Sequence, residues 1–240
     1  MACLRAVFFD AFGTLLDVRG LHLEATRLIL MELGLAGRIG AEELHERWDE
    51  YLLAFWREGR YSKTLEALRA SLEKALGDFG ASISPGELNR AEALLLDTYS
   101  KARLYEGAKE ILVFCRSLGL RTGLISDSDA PLLRSLLGKH GLVSLFDTIV
   151  ISDEVGSFKP ARRPFEIALR NAGCEAGEAM MVGDAGRDIE GAKKVGMLVA
   201  IVLHPQRKPP ELIAQSDIVV NALAELKGPI AALSRQYHRP

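Results

Sequence analysis

Cysteine is scarce and scattered in this chain of 240 residues, which carries only Cys3, Cys115 and Cys174. Three thiols cannot all pair within one chain, and no CxxC spacing offers a zinc site. They read as free thiols of a reducing compartment, and the expected location is the cytoplasm. An excess of charge of either sign is also missing. With 30 basic against 32 acidic residues the net charge is -2, so no global field draws the chain toward nucleic acid or a membrane surface. There is no basic tail and no run of like charge long enough to act as an interaction arm. Long apolar runs are absent as well. The first one ends at Asp10, too early for a signal peptide or a membrane span. Internal repeats and low-complexity segments are lacking.

What is present is a large apolar fraction, 48% of residues, enough for a substantial core. The length suggests one large domain, or a core with a smaller one inserted. Residues 4–9 form an apolar run rich in β-formers, broken only by Arg5 and followed by Asp10 and Gly13. It reads as a buried parallel strand entering a tight loop. From about 21 to 100 the pattern changes to helical spacing, as in Leu44, Trp48, Leu52 and Phe55, with breaks near 34–40, 59 and 77–86. That is a block of about four or five helices. Trp48, Tyr51, Phe55, Trp56 and Tyr61 fall on it and are expected first as core residues. Short apolar runs return at 122–126, 148–152, 179–183 and 199–203, with a weaker one at 218–220. Helical patterns at 108–118, 130–140, 164–172 and 188–195 alternate with them. The expected fold is α/β: a Rossmann-like parallel sheet flanked by helices, with an inserted all-helical cap. The core would comprise residues 1–16 and 102–240, and the cap 17–101, placed as a lid.

In an open parallel sheet, ligands gather beyond the carboxyl ends of the strands. After the first strand comes Asp10-Ala11-Phe12-Gly13-Thr14. After the second come Ser126, Asp127, Ser128 and Asp129, and after the third Asp153 and then Lys159. The fourth ends in Gly183-Asp184, with Asp188 following. Taken singly, each acid reads as a turn or capping residue, and Ser126 to Asp129 could simply cap the helix at Pro131. Taken together they crowd carboxylates at one rim, where they raise one another's pKa. Lys159 or a bound Mg2+ would compensate, Mg2+ being a cation that favours oxygen ligands.

The ordered set Asp10-Ala11-Phe12-Gly13-Thr14, Ser126, Lys159-Pro160 and Gly183-Asp184 with Asp188 resembles the haloacid-dehalogenase-like hydrolases. Leu104-Tyr105-Glu106-Gly107, Gly191-Ala192 and Gly196-Met197 extend the resemblance over the core. It implies a hydrolase working through a covalent aspartyl intermediate. Asp10 would be the nucleophile, oriented by Thr14, with Ser126 holding a phosphoryl oxygen and Lys159 balancing charge. Asp184, Asp10 and the carbonyl of Phe12 would hold Mg2+, and Asp188 would support the metal site or anchor Lys159. Asp127 and Gly183 would support the same loops.

Two motifs point to different chemistry. The phosphatases of that family usually carry a proton-transferring aspartate where this chain has Phe12, and such transfer typically contributes about 10²–10⁴-fold. An aromatic residue there resembles the 2-haloacid dehalogenases, which are metal-independent and whose halide leaving group needs no proton. For the arginine that assists those enzymes the candidates are Arg47, Arg57 and Arg60. Asp184, however, resembles a phosphatase metal ligand and has little reason to stand in a metal-free site. The favoured expectation is a Mg2+-dependent phosphatase acting on a small phosphorylated metabolite, with Asp127 or Asp129 taking over proton transfer. A 2-haloacid dehalogenase is second and a weakly active or non-catalytic binding protein third. The partner in each case is a small anionic molecule, with no nucleic acid and no membrane, and the chain a monomer or homodimer. The five histidines are scattered and suggest no role.

Overall fold

The computed structural model describes residues 3–57, 61–205 and 208–234, with the side chain of Arg57 left out. Arg60 and His238 lie outside the described residues, as does the side chain of Arg57. The first strand, β1 (Ala6–Phe9), is buried at every position, as a strand covered on both faces must be. A short β2 (Leu16–Asp17) follows, then four helices: α1 (Leu21–Glu32), α2 (Ala41–Arg57), α3 (Thr64–Asp78) and α4 (Pro85–Tyr99). The chain returns through β3 (Arg103–Leu104), α5 (Ala108–Ser117), β4 (Arg121–Ser126), α6 (Ala130–Lys139) and β5 (Thr148–Ile151). A single turn, α7 (Ser152–Val155), leads to α8 (Arg162–Ala172), β6 (Ala179–Gly183), α9 (Gly186–Val195), β7 (Leu198–Val202), β8 (Ile218–Val220) and α10 (Lys227–Ser234).

The main sheet has six strands in the order β5-β4-β1-β6-β7-β8, and every neighbouring pair runs parallel. Side chains alternate across β1. Val7 and Phe9 enter one core with Ile111 of α5, Leu136 of α6 and Ile230 of α10. Ala6 and Phe8 enter the other with Phe165 of α8 and Ile189 of α9. Helices therefore cover both faces, as the alternation of runs predicts.

The four helices between β2 and β3 enclose a third core, built on Ile29, Leu44, Trp48, Leu72, Leu76 and Leu95. Trp48 Nε1 donates to Leu68 O and Ser71 Oγ, both at 3.0 Å, so the indole is satisfied where it is buried. Helix α4 starts on a Ser84 capping box with Pro85 in its first turn, a favourable helix start. Of the other aromatic residues of the block, Tyr61 is exposed and Trp56 faces a cavity. The block leaves and rejoins the sheet through an antiparallel β2–β3 ribbon, which has two residues a side and so carries no readable period.

Candidate active site

Strand β1 lies between β4 and β6, where the direction of chain travel across the sheet reverses. That is the switch point at which open α/β sheets bind ligands. The turn after β1 depends on Gly13, whose φ of 92° suits a residue without a Cβ. Thr14 and Leu15 fold back onto Ala11 O. The turn leaves Asp10 on the rim, beside Ser126 at the end of β4 and Asp184 just past β6. Lys159 arrives between α7 and α8, and its backbone N–H donates to Asp127 Oδ1 at 3.0 Å.

Lys159 organises the rim. Its ammonium is fully buried and donates to Asp10 Oδ1 and Asp188 Oδ1, each at 2.6 Å, and to Ile125 O at 3.1 Å. All three ammonium protons are thereby used. Asp188 Oδ2 accepts from the backbone amides of Asp184 and Ala185, so this carboxylate ties the lysine to the β6–α9 loop. Gly183 is required beside it: a Cβ there would stand 2.4 Å from Asp188 Oδ2. Thr14 Oγ1 lies 3.2 Å from Asp184 Oδ1 and 3.5 Å from Asp10 Oδ2 and bridges the two acids. Ser126 Oγ is buried and has no hydrogen-bond partner among the described residues, which leaves it available to a ligand.

Burial pushes the Asp10 carboxyl up to about 6, against the pull of Lys159, so it is ionised at neutral pH. Burial would lower Lys159, but Asp10, Asp188 and Asp127 outweigh it and keep the ammonium charged. Asp10, Asp184 and Asp188 each offer a carboxylate oxygen within 4.8 Å of the others. Three buried acids, with Asp127 close by, thus outnumber the two cations that act on them, Lys159 and Arg187. An all-oxygen donor set with surplus negative charge fits Mg2+.

Above the rim lies a cavity of about 410 Å³ with Phe12, Asp127 and Arg187 on one side and Leu52, Trp56 and Tyr99 of the helical block on the other. The Phe12 ring meets Tyr99 edge-on at 5.9 Å. Asp127 is also pushed up to about 6 by burial. Its second oxygen pairs with Arg187 Nε at 3.3 Å, and that guanidinium lies 4.9 Å from the centre of the Trp56 ring. Asp129 caps α6 by accepting from Leu132 N.

Arg47 does not face this cavity. It is half exposed and pairs with Glu50 and Asp78. The sequence reading passed over Arg187, although it lies inside the Asp184–Asp188 segment. It also passed over His22, His45 and Asp49, which meet on the cavity wall. The spacing of His45 and Asp49, one helical turn apart, was the available signal.

A family model described as haloacid dehalogenase-like hydrolase matches residues 4–196. The chain belongs to the haloacid dehalogenase-like hydrolase family. Its relatives include both dehalogenases and phosphatases. An (S)-2-haloacid dehalogenase of Pseudomonas sp. strain CBS-3 is 29% identical over 228 residues, covering 93% of this chain and 95% of the relative. A glyceraldehyde 3-phosphate phosphatase of Methanothermobacter thermautotrophicus is 30% identical over 237 residues, covering 93% and 98%. The solved L-2-haloacid dehalogenase of Xanthobacter autotrophicus superposes with a TM-score of 0.74 at 24% identity, over 95% of this chain and 98% of that one, and this likeness concerns the fold. Among the described residues, no helix is long and apolar enough to cross a membrane.

Proposed function

We propose that this hydrolase is a Mg2+-dependent phosphatase of a small phosphorylated metabolite, with Asp10 as nucleophile. The observation that carries the reading is Asp184, a buried carboxylate grouped with Asp10 and Asp188, so that three acids share a rim where Lys159 is the cation bonded to Asp10 and Asp188. Asp10, Asp184 and the carbonyl of Phe12 would hold the ion, which when bound neutralises charge on the transferring phosphoryl group. Asp10 Oδ attacks phosphorus, the bond to the leaving oxygen breaks, and an acyl-phosphate forms that water then cleaves. Lys159 holds Asp10 in place and offsets its charge, while Thr14 fixes the free oxygen for attack. Ser126 donates its unused hydroxyl to a phosphoryl oxygen. Asp127, poised near 6, is the acid at the rim able to protonate the leaving oxygen. Residues 17–101 act as the cap over a core of 1–16 and 102–240, and the free thiols suit a cytoplasmic setting.

A second reading is favoured by Phe12 and by the dehalogenase relatives. Asp10 would then attack the carbon bearing the halogen, halide would leave with the bonding electrons, and the ester would be hydrolysed. One pair of assays separates the two readings. The phosphatase reading expects release of p-nitrophenol from p-nitrophenyl phosphate that EDTA abolishes and Asp10→Asn removes. Chloride release from 2-chloropropionate in EDTA, with no phosphate ester turned over, would overturn it.

A further inference from the structure

The cavity wall opposite the rim carries a second group of ligating side chains that the phosphatase reading does not use. His22 lies in the first turn of α1, and His45 and Asp49 lie one turn apart on α2, so that they share a helix face. Packing of α1 on α2 brings the three together. His22 Nδ1 stands 2.9 Å from Asp49 Oδ1, and His45 Nε2 stands 3.7 Å from Asp49 Oδ2. The two imidazoles are edge to face with centres 4.8 Å apart, and His22 also packs against Trp48. One ligand atom from each residue lies within 4.8 Å of the others.

We propose that His22, His45 and Asp49 form a site for a transition metal of the Zn2+ class in the cavity wall. Four features support it. Two imidazoles and one carboxylate suit a borderline-soft cation, unlike the all-carboxylate cluster at the rim. Ligand atoms about 2.0–2.1 Å from a tetrahedral Zn2+ stand about 3.3 Å from one another, and each imidazole already stands close to that separation from one of the two Asp49 oxygens, at 2.9 and 3.7 Å. The other ring nitrogens, His22 Nε2 and His45 Nδ1, are buried without a hydrogen-bond partner among the described residues, so no protein donor fixes either ring in the tautomer that would block ligation. All three residues line the cavity, so the fourth position opens toward it, as in sites that bind an exchangeable ligand. The metal would present a cation to the part of a bound molecule that rests against the helical block, whatever the leaving group.

The test titrates Zn2+ calorimetrically into EDTA-treated full-length protein with excess Mg2+ present to fill the rim. The expected result is one equivalent bound by wild type and by Asp184→Asn, with affinity lowered at least ~10-fold in His22→Gln and His45→Gln. Circular dichroism checks that each variant is folded. Co2+ on the wild type supplies a readout independent of any variant: tetrahedral d–d bands without a thiolate charge-transfer band. The proposal is overturned if wild type takes up no Zn2+, if Asp184→Asn alone loses it, or if the Co2+ spectrum is octahedral or shows cysteine ligation.

Discussion

Replacing Lys159 with methionine tests the rim most directly, because the two side chains are similar in length and only the charge and its donors are removed. In the native structure one ammonium, 0% exposed, neutralises carboxylates of Asp10 and Asp188 at 2.6 Å each. Without it, two buried acids and the Ile125 carbonyl lose their donor. Breaking a buried pair by removing one partner costs about 3–5 kcal/mol, which for a chain of this size lowers Tm by roughly 6–20 °C. The loss should depend on pH. Deprived of Lys159, the Asp10 carboxyl, already held near 6 by burial, rises further above its unfolded value. A carboxyl of that kind destabilises the fold above its folded pKa, and the penalty fades as the pH falls toward the unfolded pKa near 3.9. Urea unfolding of wild type and Lys159→Met at pH 7 and pH 5 gives the answer. The deficit should be largest at pH 7 and clearly smaller at pH 5, where Asp10 is already mostly protonated in the wild type. Added Mg2+ should narrow it, since a cation bound only by the folded state stabilises that state. A deficit below ~1 kcal/mol, or one equal at both pH values, would refute the view that Lys159 is the main counter-charge of this rim.

Three further outcomes can be measured. Gly183→Ala should lower stability by about 1–3 kcal/mol and reduce turnover at least tenfold, because the new Cβ strikes Asp188 Oδ2 at 2.4 Å; urea melts and initial rates check it. Phe12→Asp should raise hydrolysis of an alkyl phosphate, a poor leaving group, by up to about 10²-fold while changing p-nitrophenyl phosphate little, since proton donation helps only the former; equal effects on both would count against a missing acid. Asp127→Asn should gain stability relative to wild type as the pH rises from 4 to 7, by up to about 3 kcal/mol. The native carboxyl, held near 6 by burial, resists ionisation above its unfolded value, so a gap that shrinks with pH would contradict this.

The sheet was legible because its inner strands β1 and β6 are buried on both faces and must be apolar runs. The run expected at 179–183 matches β6 residue for residue, and the one at 218–220 matches β8. The rim was legible because each loop sits directly after a strand. What escaped is what only tertiary packing creates. His22 lies far from His45 in sequence, and nothing local announces that α1 will lay one beside the other. Arg47 was a poor choice for a physical reason. It precedes Trp48, and successive helical residues point about 100° apart. With the indole turned into the core, Arg47 points elsewhere, whereas His45 and Asp49 flank the buried Trp48 along the helix.

The conflict between Phe12 and Asp184 takes a different form once both have neighbours. Phe12 is a wall residue, packed edge-on against Tyr99 of the helical block, and it makes that side of the cavity apolar where the phosphatase resemblance leads one to expect an acid. In the phosphatase reading proposed above, proton transfer then falls to the loop after the neighbouring strand β4. Asp127 stands there with one oxygen held by the Lys159 amide and the other beside Arg187, and its carboxyl titrates near 6, close to the working pH that favours acid–base exchange. A leaving group would have to approach from the β4 side of Asp10 to reach it. That geometry suits a substrate whose apolar portion rests on Phe12 and Tyr99 while its oxygen turns toward Asp127. A halide needs neither contact, so the rates of Asp127→Asn with alkyl and aryl phosphates separate the two chemistries at the step where they differ.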